Sequence, residues 1–392
     1  MGVKTFFEFY CPVKIISGRL ALANLPYEME QLGARRAMVV TDRGVKGAGL
    51  MKYLENALEG SNCGMAAVFE DTPPDSSMSV VNQVAQLYRD KNCDCFVAVG
   101  GGSCIDTAKC ANIVVSEGTG DLVDFQGADR IKKQLKPLLV VPTTAGTGSE
   151  VTLVAVIYDE KTNTKLAFTS DRLNPSVAIL DPRMTLTMPP KITAATGMDA
   201  LTHAVEAYYC LAKNPVSDAF AAAAVKLIMG NLVKCVRDGN DEEARLAMAN
   251  GSLLAGIAFS NSMVGVVHSL AHGAGGVVHI PHGVANAIFL PWGMEYNIGR
   301  RAEIIAELAP LLCGREAGGS AGERAAAAVR AVRDLAGKLN EICGLPLRLR
   351  DAGVKEDSLE AIAKAAINDG SLVYNPEEVT FEEALELLKK AW

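Results

Sequence analysis

The spacing of apolar residues changes near residue 187. Upstream, short unbroken apolar runs end in turns or glycines: 35–42 (RRAMVVTD), 65–71 (MAAVFED), 95–103 (CFVAVGGGS) and 137–150 (PLLVVPTTAGTGSE). Such runs, bounded by turn residues, read as strands buried on both faces. Between them, 79–90 (SVVNQVAQLYRD) repeats its apolar positions at helical spacing. Strand–helix–strand alternation predicts a parallel sheet with helices on both sides. Downstream, strand signals fade and Ala/Leu/Gly-rich helical patterns run to Trp392; 221–225 (AAAAV) and 323–331 (ERAAAAVRA) are strong helix formers. The last stretch, PEEVTFEEALELLKKAW, opens on acidic residues and closes on lysines, as the helix dipole favours. Met188-Pro189-Pro190 marks the boundary, because proline cannot continue a helix from the preceding segment. The expected organisation is an α/β N-terminal domain, 1–187, and an all-α C-terminal domain, 188–392.

Composition narrows the setting. The 392 residues are 49% hydrophobic and 21% charged, with a net charge of −7. No Lys/Arg stripe interrupts that balance, so nucleic acid and anionic membranes are poor partners. No stretch approaches an uninterrupted apolar span, and MGVKTFFEFYCPVKII has neither a long apolar core nor a small-residue cleavage site. A cytoplasmic location is expected. The ten cysteines are scattered without a CxxC pair, as for free thiols in a reducing compartment. Cys93 and Cys95, flanking Asp94, are read as packing residues.

Two loops carry candidate phosphate chemistry. Gly100-Gly101-Gly102-Ser103 follows an apolar strand and precedes a helical stretch, CIDTAKCANIVV. Glycines let backbone approach a phosphate, and the helix N-terminus supplies unpaired N–H groups. The pattern is neither GxGxxG nor a Walker loop. Val141 to Ser149 (VPTTAGTGS) forms a second hydroxyl- and glycine-rich loop after a strand. In a parallel sheet such loops share the carboxyl edge, where ligands bind. Two of them suit a dinucleotide better than a free phosphate. Asp42, at the end of the first strand, could accept from adenosine ribose hydroxyls and would repel a 2′-phosphate.

The histidines point to a metal. Four of the five, His268, His272, His279 and His282, lie within fifteen residues; the fifth, His203, sits four residues after Asp199. Residues at i and i+4 share a helix face, so Asp199 pairs with His203, and His268 with His272. One carboxylate and three imidazoles can fill the shell of a divalent metal, and the clustered histidines compete for those places. His282 is expected in a loop past the helix. His279 has the weakest claim, and Glu206 is assigned to solvent or to support of a ligand.

GGGSCIDTAK, PTTAGTGSEVT, GMDALTHAVEAY, HSLAHGAGG and PHGVANAIFLPW, in this order and spacing, resemble the iron-containing (group III) alcohol dehydrogenases over nearly the whole chain. The resemblance implies a Rossmann-like dinucleotide-binding domain, a helical metal-binding domain, and a divalent metal, usually iron(II) and sometimes zinc. By motif the ligands would be Asp199, His203, His268 and His282. His272 matches a non-ligand histidine near the nicotinamide, and His279 matches nothing functional. NAD(H) would lie against Asp42, Gly101, Gly102, Ser103, Thr143, Thr144, Thr147, Thr152 and Lys165. Asp106 would support the phosphate loop, and Asp42 matches the position that favours NAD over NADP.

Two departures stand out. Asn375-Pro376-Glu377 replaces an Asn-Pro-Arg, and Val154 stands where some diol-using members are polar, which favours a less polar substrate. Phe259 walls the substrate pocket or packs in the core. The expected activity is metal-dependent, NAD(H)-linked oxidation of a small primary alcohol or reduction of its aldehyde, by a homodimer or larger homo-oligomer. The metal would polarise the substrate oxygen, and His272 would relay the proton. Alternatives are a glycerol-dehydrogenase-like polyol oxidoreductase, a dehydroquinate-synthase-like lyase, and a metal-dependent hydrolase. The lyase would need a Lys/Arg cluster near the histidines; the hydrolase would leave both glycine loops without a purpose.

Overall fold

Four apolar runs of the first half become four adjacent strands of a six-stranded parallel sheet. The computed structural model describes residues 6–118, 121–162 and 164–392. Its strands are β1 (Lys14–Ser17), β2 (Arg36–Val40), β3 (Gly64–Phe69), β4 (Cys95–Gly100), β5 (Gly127–Ala128), β6 (Leu138–Pro142), β7 (Val154–Asp159), β8 (Thr164–Thr169) and β9 (Val177–Leu180). The large sheet runs β1-β9-β6-β4-β2-β3, with every pair parallel. Successive residues of β2 serve opposite faces. Met38 and Val40 join the core beneath α4 (Met78–Asp90) and α5 (Gly102–Glu117). Ala37 and Val39 join that beneath α1 (Leu25–Gln31) and α3 (Met51–Leu58), which α2 (Arg43–Gly47) precedes.

The chain separates into two compact units. One spans Tyr10–Thr187; the other comprises Met188–Trp392 and the segment before Tyr10, where Phe9 stacks on Phe220 at 5.7 Å. The helical unit contains α6 (Pro190–Tyr209), α7 (Pro215–Arg237), α8 (Glu242–Ser262), α9 (Val266–Val278), α10 (His282–Cys313), α11 (Ala321–Cys343), α12 (Leu359–Ala366) and α13 (Phe381–Ala391). Pro190 opens α6, a position where its missing N–H costs nothing. By length and composition α7 could cross a membrane, yet it packs against α6 and α8. A capping box of Thr380 and Glu383 starts α13.

The smaller sheet was not apparent from the sequence. β7 and β8 form an antiparallel hairpin, with β5 added parallel to β8. β8 alternates and gives no unbroken apolar run, and β7, whose run Val154–Tyr158 does, is buried on one face only. β1 is a mostly exposed edge strand, and β9 is only four residues long, so neither announces itself.

Candidate active site

The nucleotide-loop residues converge because β2, β4 and β6 are neighbours. Their carboxyl ends bring Asp42, Gly100–Gly102 and Thr143–Thr147 to one edge of the sheet, beside the reversal of strand order between β2 and β4. Gly101 and Gly102 are demanded by close approach. A Cβ on Gly101 would sit 3.2 Å from Thr144 Oγ1, and one on Gly102 2.9 Å from Thr147 Cγ2. Gly101 has φ −83° and offers no side-chain cap, so the first N–H groups of the 16-residue α5 remain open to an anion. The Thr143 N–H donates to Gly100 O at 3.0 Å, which ties the two loops together.

Asp42 lies two residues past the end of β2 and caps α2, its Oδ1 accepting from Val45 N–H at 2.8 Å. Cys104 Sγ donates to its other oxygen at 3.3 Å. Asp106 accepts from Ser149 Oγ (2.8 Å) and Val156 N–H (3.0 Å) and braces α5 against the segment behind the second loop. Thr152 is buried there, with Oγ1 accepting from Lys109 Nζ at 3.0 Å. Burial draws Lys109 down to about 8 while Asp106 and Glu150 oppose it, and it pushes Glu150 up to about 7. Lys109 Nζ shares its three N–H donors among four oxygens of Ser149, Thr152 and Val154, a bracing role that its motif position left unassigned. Lys165 lies on the hairpin, paired with Asp75 at 2.6 Å, and Val154 opens β7.

In the helical unit, three stretches meet. Asp199 and His203 project from α6, His268 from α9, and His282 from α10. One donor atom from each lies within 4.8 Å of the others. His282 is the first residue of a 32-residue helix, contrary to the loop expected for it. A loop-like Ile-Pro-His-Gly spelling conceals a helix start in which Pro281 is the cap. Asp199, His203 and His268 are buried, whereas the His282 side chain is 36% exposed, so the cluster opens on that side. Burial opposes charge on Asp199, but the facing His203, His282 and His268 hold its carboxyl below the ordinary range. Burial, reinforced by His203 and His282, keeps His268 neutral.

This donor set fits a divalent metal. Ligands bound at about 2.1 Å lie within about 4.2 Å of one another, so side-chain movements of a few tenths of an ångström suffice. Asn286, one turn beyond His282, adds a fifth group that the sequence reading missed. Its Nδ2 lies 2.6 Å from Asp199 Oδ1, 3.2 Å from His268 Nε2 and 3.1 Å from His282 Nε2. Its Oδ1 is buried with no hydrogen-bond partner among the described residues. A buried amide inside the apolar helix start VANAIFLP was the available signal.

Around this cluster the other candidates divide. His272 sits one turn past His268, 41% exposed, with Nδ1 at 2.9 Å from Asp369 Oδ2 and its ring stacked on His282 at 5.3 Å. Phe259 stacks on His203 at 4.3 Å. His279 is exposed and closes α9 in a left-handed conformation. Glu206 is wholly buried, which removes the solvent alternative considered for it. Burial pushes its carboxyl up to about 7 against donors at Val267, Gly265, His268 and Tyr209. Asn375 of the departing Asn-Pro-Glu is buried and accepts from Val266 N–H at 3.1 Å, while Glu377 lies 3.4 Å from Arg300.

Two consequences are measurable. A Cβ on Gly283 would stand 2.6 Å from the Ala195 carbonyl oxygen on α6, a backbone contact that no rotamer change relieves. Gly283→Ala is expected to cost about 1–3 kcal/mol, read as a lowered Tm, and to reduce metal content by displacing His282. Asp369 supports the second. Burial works against its carboxylate, yet His272 and Ser371 hold it at about 2, below the ordinary 3.8. Its stabilising contribution is therefore complete above about pH 4 and lost as pH falls towards 2. The stability gap between wild type and Asp369→Asn, from denaturant titrations, is expected to narrow across that interval; a constant gap would contradict the assignment.

Comparison with known proteins agrees with this geometry. The iron-containing alcohol dehydrogenase profile matches residues 12–182, and the C-terminal profile of the Fe-containing alcohol dehydrogenase family matches 193–392. The chain belongs to the iron-containing alcohol dehydrogenase family. It is 37% identical to the NAD-dependent methanol dehydrogenase of Bacillus methanolicus, covering 98% of this chain and 99% of that one. It is 38% identical to the 1,3-propanediol dehydrogenase of Citrobacter freundii, with the same coverage. The crystal structure of a 1,3-propanediol oxidoreductase superposes with a TM-score of 0.95 at 37% identity, over 99% of this chain and 100% of that one.

Proposed function

We propose that this chain interconverts a small primary alcohol and its aldehyde with NAD(H), using a divalent metal, iron(II) or zinc(II), held by Asp199, His203, His268 and His282. The observation that carries the reading is the convergence of one carboxylate and three imidazoles, from three separated stretches, within 4.8 Å. The nucleotide loops distinguish it from a metal-dependent hydrolase, which would have no use for Gly101, Gly102 and the open start of α5.

The metal, when bound, supplies Lewis acidity that polarises the substrate oxygen and lowers the alcohol's pKa. NAD(H), when bound, supplies the hydride chemistry. The chain's own residues bind and orient. Gly101, Gly102 and Ser103 at the start of α5 receive the pyrophosphate, with Thr143, Thr144 and Thr147 alongside. Asp42 accepts from the adenosine ribose and disfavours a 2′-phosphate. Asp106, Thr152 and Lys109 hold these loops from behind, and Lys165 is assigned to the cofactor side of the hairpin. His272 takes the proton leaving the alcohol at Nε2, because its Nδ1 is engaged by Asp369 and its partial exposure gives a path to solvent. Phe259, stacked on His203, contributes apolar surface beside the ligand cluster, and the apolar Val154 at the start of β7 supports a short, weakly polar substrate.

Ten free cysteines, seven of them buried, support a reducing location such as the cytoplasm. β1 ends the sheet among the described residues, and its Ile15 is 40% exposed, an apolar surface that supports self-association into a homodimer or larger homo-oligomer. Exhaustive chelation should abolish NADH-dependent reduction of a short aldehyde, and Fe(II) or Zn(II) should restore it. Full activity in metal-free protein would overturn the proposal.

A further inference from the structure

We propose that Glu206 is the positioning residue that decides which ring nitrogen of His268 faces the ligand cluster, and that it does so while capping the helix that carries His268. The inference rests on the reading of Asp199, His203, His268 and His282 as a metal site.

Glu206 follows Asp199 and His203 on α6 at the spacing i, i+4, i+7, so all three share one helix face. Its carboxylate meets the first turn of α9. Oε1 accepts from Val267 N–H at 2.9 Å; Oε2 accepts from His268 N–H at 3.2 Å and lies 2.6 Å from His268 Nδ1. Tyr209 Oη donates to Oε1 at 3.2 Å. α9 has no local side-chain cap, since Gly265 occupies the cap position. Asn375 takes the Val266 N–H and Glu206 the next two. The fit is close: a Cβ on Gly265 would lie 2.6 Å from Asn375 Oδ1 and 3.2 Å from Glu206 Oε1.

The tautomer follows from this geometry. Burial raises the Glu206 carboxyl, but the Val267 N–H, the His268 N–H and the Tyr209 hydroxyl all donate to it at the start of a helix, an environment that favours its ionised form, and an ionised carboxylate only accepts. His268 must therefore donate from Nδ1, which leaves the Nε2 lone pair on the side of Asp199, His282 and Asn286. Imidazole ligands commonly depend on such a partner, and losing it weakens metal binding by about 10–100-fold. A carboxylate at a helix N-terminus is also favoured by the helix dipole. One buried group thus couples the α6 ligand pair to the orientation of the α9 ligand.

Glu206→Gln separates the two duties. The Gln carbonyl can still accept from the Val267 N–H and the Tyr209 hydroxyl, but the amide that replaces Oε2 gives up the bond from the His268 N–H and, by donating to Nδ1, drives the ring proton to Nε2, removing the lone pair. Zn(II) affinity, measured by chelator competition, is expected to fall about 10–100-fold, with Tm lowered only by the loss of the single His268 N–H bond; Glu206→Asp should recover part of the affinity. In wild-type protein labelled with ¹⁵N-histidine, NMR should show His268 protonated at Nδ1 and shifted at Nε2 on Zn(II) addition. This second readout decides the matter if Glu206→Gln does not fold. His268 protonated at Nε2 in the wild type, or Glu206→Gln binding Zn(II) as tightly as wild type, would overturn the role of Glu206 alone. Zn(II) uptake unchanged in Asp199→Asn would instead remove the metal site, and the role of Glu206 with it.

Discussion

His268→Ala should strip the protein of stoichiometric metal and lower kcat/KM by about a thousandfold or more. His268 is 2% exposed and sits at the centre of the cluster, its ring 4.5 Å from His203 and 5.5 Å from His282. Without it, Asp199, His203 and His282 retain three donors, and Glu206 loses its closest partner at 2.6 Å. Lewis-acid stabilisation is worth several kcal/mol, and each 1.36 kcal/mol is tenfold in rate, hence the size of the loss. Metal content by elemental analysis, alongside NADH-linked rates, checks it. His268→Ala retaining one metal per chain would mean that the other three residues suffice.

His272→Ala should do the opposite: keep the metal and lose rate. Its Nδ1 is taken by Asp369 at 2.9 Å, and it stands outside the group of four whose donor atoms converge. A positioned acid–base group contributes about 10²–10⁴-fold, so kcat should fall by about that factor. Because the side chain is 41% exposed, free imidazole has access to the space it leaves and should restore part of the rate. Metal loss from His272→Ala would show that the two histidines of α9 do not divide the work.

The contrast between these neighbours shows how far spacing reaches. The i, i+4 relation in His268-x-x-x-His272 puts both on one face of α9, yet it does not say which binds metal. What separates them in the structure is partners remote in sequence: Glu206 for His268, and Asp369, 97 residues away, for His272. His282 gives the same lesson. Its Pro-His-Gly setting reads as a loop, and it is instead the first turn of α10, held near α6 by the tight approach of Gly283 to Ala195. Asn286 escaped notice because asparagine on an apolar helix carries no ligand signature until its amide is seen among three donors.

Local periodicity and turn chemistry are properties of short segments, so the chain alone announced the parallel sheet, the helical second half, both glycine loops and the two i, i+4 pairs. The convergence of Asp42, Gly101 and Thr144 followed from β2, β4 and β6 lying side by side, an order that no run of residues encodes. The meeting of α6, α9 and α10 around four donor atoms depended likewise on helix packing. Hydrogen bonds between residues 62 to 109 positions apart set the tautomer of His268, the cap of α9 and the engagement of His272. Such bonds form only when burial brings the groups together and leaves them no water to bond instead.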